Sequence, residues 1–171
     1  LSCKGDDYFL PVINNEYFHF YADKALILPE SKNRSSELFE VRVDWINFPK
    51  EWEIASDFGI SKKSARGETQ VLEDLTLGNL GEILFFGGNY RKVMFEVRGI
   101  NFHTFIYGQY NFPDSAVTGL LTKVAESNMQ IWQSFDHSKD YVISLTQKGS
   151  DCGRIGGRNM YNSFAIYMSG A

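Results

Sequence analysis

Apolar and polar positions alternate along much of this chain, most clearly between Gly81 and Phe112. Three apolar runs, residues 82–86, 91–98 and 102–107, are separated by Gly87-Gly88-Asn89 and by Arg98-Gly99-Ile100-Asn101. Glycine and asparagine take up the left-handed backbone of tight turns at little cost, so the stretch predicts a three-stranded antiparallel meander. In the middle run Val93, Phe95 and Val97 share one face, while Lys92, Met94, Glu96 and Arg98 share the other. A period of two with one dry face calls for a cover on that face.

The same alternation predicts a strand over residues 38–46, with Phe39, Val41, Val43 and Trp45 set against Glu40, Arg42 and Asp44. Residues 8–13 and 16–21 flank Asn14-Asn15 as a hairpin, and a short strand over 25–28 stops at Pro29. Residues 47–53 predict a turn plugged by Phe48 and Trp52. Residues 71–77 lead through a Gly78-Asn79 turn into the meander, and 140–147 and 163–169 form the last two strands. Residues 30–37 are a polar loop, and 56–70 show little order of either kind.

After Pro113 the period changes. Asp114 or Ser115 can cap a helix, and Val117, Leu120, Leu121, Val124, Asn128, Ile131, Trp132 and Phe135 recur at three- and four-residue steps. This predicts an amphipathic helix over 117–135 that covers the dry face of the meander. Gly119 within it costs up to ~1 kcal/mol against alanine, which points to a close approach to the sheet. The expected fold is α+β, a predominantly antiparallel sheet of about eight or nine strands covered by one main helix. It fills a single globular domain over residues 1–171, with residues 1–7 as a flexible tether.

Composition strengthens the sheet reading. Aromatic residues make up 15% of the chain, and bulky rings suit pleated surfaces. A formal net charge of −4 lacks the basic excess that phosphate backbones require, so nucleic acid is excluded as a partner class. No apolar run approaches the ~20 residues that cross a bilayer. Cys3 and Cys152 either bridge the two ends of the chain or stand as separate thiols. Leu1-Ser2-Cys3-Lys4-Gly5-Asp6-Asp7 resembles the end of a bacterial lipoprotein signal, and an ordinary flexible terminus fits it as well. A periplasmic, cell-surface or secreted location follows from the first of these, and the cytoplasm stays open.

Candidate chemistry is sparse. His19, His103 and His137 share no short metal-ligand spacing, and no Cys-X-X-Cys occurs, so neither a metal nor another cofactor is implied. Cys152 would need a histidine within reach to act as a nucleophile. Asn33-Arg34-Ser35 matches the glycosylation sequon, and Ser61 to Gly67 forms a local basic patch. The glycine-rich loop from Gly149 to Arg158 offers backbone N–H groups and the guanidiniums of Arg154 and Arg158. A strand follows it rather than a helix, which excludes a dinucleotide fingerprint. At the end of the meander, Tyr107, Gln109, Tyr110 and Asn111 form the second candidate set. Arginine and tyrosine concentrate binding energy at interfaces, so Arg154, Arg158, Tyr107, Gln109, Tyr110 and Asn111 are the candidate partner-binding residues.

Three function classes compete: a non-enzymatic protein that captures another protein, a surface-displayed β-rich module for glycan or receptor, and an enzyme without a visible motif. The layout over residues 80–135, a meander followed by one long helix, resembles the small α+β domains of periplasmic immunity proteins. That resemblance implies capture of a protein partner, as in bacterial antagonism systems, and puts the first class ahead of the other two.

Overall fold

The computed structural model describes residues 10–28, 36–64, 67–132, 140–148, 155–160 and 162–169. The chain divides into two compact units, Leu1–Tyr90 and Arg91–Ala171.

The first unit runs β1 (Val12–Ile13), β2 (Tyr17–Tyr21), α1 (Ala22–Ala25), β3 (Phe39–Trp45), β4 (Glu53–Ser56), β5 (Gly59–Ile60), β6 (Lys62–Ser64), β7 (Gly67–Leu75), α2 (Leu77–Glu82) and β8 (Leu84–Gly88). These form a sheet of order β1-β2-β8-β4-β5 and a second of order β3-β7-β6. The expected asparagine hairpin is present. Asn14 Oδ1 accepts the backbone N–H groups of Glu16 and Tyr17 at 2.8 and 2.9 Å, which closes the turn between β1 and β2. β3 alternates as expected, with its polar side held by Asp44, which accepts from Thr69 Oγ1 on β7 at 2.8 Å. Phe18, Trp45, Trp52, Ile54, Leu72 and Phe85 build one core from both sheets. Phe18 stacks on Trp45 with ring centres 5.2 Å apart.

Several expectations fail here, each for a packing reason. Residues 25–28 form no strand, since Ala25 ends the one-turn helix α1 and 26–28 are irregular, and α2 occupies the Gly78-Asn79 turn, where Thr76 Oγ1 accepts the Asn79 N–H. Residues 56–70, which carried no legible pattern, contribute β5, β6 and the start of β7. The three-stranded meander is also absent. β8 pairs antiparallel with β2 and β4, so both of its edges are used within the first unit. Gly87-Gly88 is strand rather than turn. A side chain on Gly87 would sit 2.6 Å from Phe18 Cε1, so the glycine makes room for an aromatic ring across the sheet.

The second unit runs β9 (Arg91–Val97), β10 (Ile100–Tyr107), α3 (Asp114–Trp132), β11 (Tyr141–Lys148), β12 (Ile155–Met160) and β13 (Ser163–Ser169). Its sheet order is β12-β13-β11-β10-β9. β9 and β10 form the expected hairpin, with Arg98 and Gly99 at φ 50° and 83° as a primed turn demands. β10–β11 and β11–β13 are parallel pairs, and a parallel neighbour requires a crossover, which α3 supplies between β10 and β11. The chain as a whole is α+β and mostly antiparallel, as expected, but with thirteen strands among the described residues rather than eight or nine.

α3 packs on the dry face of β9, as the alternation required, but through a different stripe. Ala125 and Met129 are buried and Leu121 packs beside them, over Val97, Ile100, Phe102 and Ile143. Leu120, Val124 and Ile131, expected in the core, are 63%, 48% and 71% exposed. The apolar band is broader than one packed face, so spacing alone could not select the half that is covered. Nor does Gly119 approach the sheet: a methyl group there would meet nothing within 4 Å. Phe135 lies outside the described residues.

Candidate functional site

The second unit holds a pocket of about 510 Å3 between the first half of α3 and strands β11, β13 and β12. β13 supplies Phe164, Ile166 and Met168, the alternate positions to Ser163, Ala165 and Tyr167, which are buried on the other face. β11 adds Leu145. α3 adds Ala116, Val117, Leu120 and Leu121, and β12 adds Ile155, Gly156 and Gly157. A side chain on Gly157 would come within 2.9 Å of Phe164 Cζ, so glycine here lets the ring lie across the neighbouring strand. Among the described residues no charged side chain lines the space. Volume and lining fall in the range of apolar ligand sites.

Phe112 also lines the pocket, and its position is fixed by a pinned loop. Gly108 has φ +105°, and a Cβ there would collide with Gln147 Cβ. Gln147 Oε1 accepts the Gln109 N–H at 2.8 Å, and Arg91 Nη1 donates to Gly108 O at 2.6 Å. Tyr110 stacks on Phe112 with ring centres 5.0 Å apart and donates its hydroxyl to Tyr107 O at 3.3 Å. Burial pushes the Tyr110 phenol up to about 12, against a small opposing pull from Arg91.

The candidate residues read from the sequence distribute as follows. Tyr107 closes β10 and Gln109, Tyr110 and Asn111 lie on the loop after it, with Gln109 and Asn111 exposed and Tyr107 and Tyr110 half-buried. Arg158 is half-buried on β12, since the glycine-rich stretch expected as a loop is strand from Ile155 onward. Arg154, Cys3, Cys152, His137 and the Asn33 sequon lie outside the described residues. The two segments do border one pocket, but through Phe112 and through Ile155, Gly156 and Gly157. Their apolar neighbours carry no chemical signature in sequence, since a lone phenylalanine or isoleucine is ordinary core material. The even spacing of Phe164, Ile166 and Met168 was the available signal.

Outside the pocket, His103 Nε2 lies 2.8 Å from Asp140 Oδ2, and Asn101 Nδ2 donates to Asp140 Oδ1 at 3.2 Å. His19 is buried in β2 and stacks on Tyr17. Among the described residues no three of His, Cys, Asp and Glu gather where they could hold a metal. No helix among them is long and apolar enough to cross a membrane.

No family model matches the chain, and no curated protein matches it. Solved structures do. An aminopeptidase N family protein from Idiomarina loihiensis superposes with a TM-score of 0.72 and 16% identity, over 94% of this chain and 26% of that one. A two-domain M1 zinc metallopeptidase mutant bound to L-arginine gives 0.50 and 12%, over 88% of this chain and 35% of the other. This chain thus spans about a quarter and a third of their lengths. At such identities the likeness is one of fold. It corrects the immunity-type reading: that reading rested on layout, and the layout is shared with peptidase chains rather than pointing to a non-enzymatic protein that captures a partner.

Proposed function

We propose that this chain is the β-rich part of a peptidase of the aminopeptidase kind, where it holds an extended peptide near a metal centre carried elsewhere in the polypeptide. The observation behind this reading is the fold likeness over 94% of the chain to an aminopeptidase N family protein. The residues present here do not fit a zinc ion. Zinc peptidases of this sort bind through a His-Glu-X-X-His pairing on a helix, and His19, His103 and His137 are far apart in sequence and flank no such motif. His103 already holds Asp140. No step of the reaction is assigned to them.

What the second unit offers is a place for the peptide. β12 stands at the edge of its sheet, and extended peptides bind sheet edges as an added strand.

The test uses the longest natural polypeptide that carries this segment. It is expected to hydrolyse leucyl-p-nitroanilide, to lose that activity in 1,10-phenanthroline and to regain it with zinc. A polypeptide that hydrolyses no aminoacyl anilide and retains no zinc overturns the reading.

A further inference from the structure

α3 covers only part of the sheet face it lies on. Leu121, Ala125 and Met129 pack towards Val97, Phe102 and Ile143 of β9, β10 and β11. On the same face, towards β13 and β12, the surface stays open as the pocket among the described residues. A second apolar line runs along α3 outside its packed face, through Leu120, Val124 and Ile131. Its spacing of four and seven residues is that of one helix meeting another. Leu120 belongs both to this line and to the pocket wall, so the two form one continuous surface.

The shape of that surface restricts its occupant. The pocket presents almost only hydrocarbon, so what fills it must be apolar. The line continues beyond the pocket along the flank of α3, which an acyl chain or a single side chain would leave bare. An element lying beside α3 on the sheet, at the ~8–10 Å at which helices pack, would cover both.

We infer that pocket and line together are the seat of a second amphipathic helix lying alongside α3, supplied by the same polypeptide beyond these 171 residues. The choice of source rests on the peptidase reading. The matching part is only 26% of the aminopeptidase N family chain, so a protein built that way has ample further chain to supply the helix.

The experiment uses the longest natural polypeptide with Cys3 and Cys152 changed to serine. Single cysteines are placed at the exposed positions Leu120 and Ile155, and at the exposed Glu126 as control. Reaction with N-ethylmaleimide is followed by mass spectrometry. Leu120→Cys and Ile155→Cys are expected to react at least about tenfold more slowly than Glu126→Cys, because a docked helix must open first. Equal rates overturn the inference, and so does a reading frame that stops at Ala171. Protection that disappears on dilution assigns the surface to a second copy and overturns it too. Hydrolysis of leucyl-p-nitroanilide, measured on the parent polypeptide, separates the two ideas. Protected cysteines without hydrolysis sink the peptidase reading alone, and hydrolysis with unprotected cysteines sinks the docked helix alone.

Discussion

Arg91 holds Asp114 through two nitrogens, Nε to Oδ2 at 2.9 Å and Nη2 to Oδ1 at 3.0 Å. The first residue of β9 is thereby tied to the first residue of α3. With the Arg91 bond to Gly108 O, the fork also fixes the loop that carries Tyr110 and Phe112. Planar, two-pronged pairing is the geometry in which an exposed ion pair contributes most.

Arg91→Ala is expected to lower stability by about 1 kcal/mol in urea titrations, less in high salt. The pH dependence gives a sharper check. The Arg91 hydrogen bond holds the Asp114 carboxyl below its ordinary 3.8. The unfolded chain therefore binds the proton first, so the contribution is complete above 3.8 and is lost as pH falls through the lowered value. The native protein should lose stability relative to Arg91→Ala over that acid range. Parallel pH curves would show that the pair adds nothing.

On α3 the two apolar stripes should behave differently. Met129→Ala removes a side chain that is 3% exposed and should cost about 2–5 kcal/mol. Val124→Ala, on the open line, should stay within about 0.5 kcal/mol in the 171-residue chain. Gly119→Ala should stabilise by up to ~1 kcal/mol, since a methyl group there has open space and alanine favours helix. A destabilised Gly119→Ala would contradict the placement of that helix face. Thermal melts decide all three.

Gly87→Ala tests the aromatic core of the first unit. The new methyl group would meet Phe18 at 2.6 Å and Ile54 at 2.9 Å, an overpacking that costs about 1–3 kcal/mol. Phe18→Leu in the same chain should recover part of the loss, giving a coupling energy above ~0.5 kcal/mol in a double-mutant cycle. Simple additivity would mean that the ring is not what the methyl group meets.

Tyr110 supplies the alkaline counterpart. Its phenol is pushed from 10 up to about 12 by burial, so the folded chain holds this proton more tightly than the unfolded one. That contribution is complete below 10 and is lost as pH rises to about 12. Tyr110→Phe should therefore lose less stability than the native protein between those limits, followed by circular dichroism. A phenol that titrates near 10 in the folded protein would remove the basis for this expectation.

The sequence by itself determined what local chemistry can determine. Alternation in residues 38–46 and 91–98 fixed two strands and their wet faces, Asn14 and Gly99 fixed two turns, and the change of period after Pro113 fixed the helix. Each depends on a few neighbouring residues and on backbone geometry alone. Tertiary structure decided which edges meet. Gly87-Gly88 has the composition of a turn, yet β2 and β4 take both edges of β8, and the absence of side chains serves Phe18 instead. It also decided which half of the α3 apolar band is covered, since Leu120 and Leu121 are adjacent and equally apolar. The pocket was illegible for the same reason. Phe112, Leu120, Ile155 and Phe164 come from four separate elements, and only the pairing of β12, β13 and β11 brings them to one face. Strand pairing over long separations is set by the packing of the whole unit, a term to which no short stretch of sequence has access.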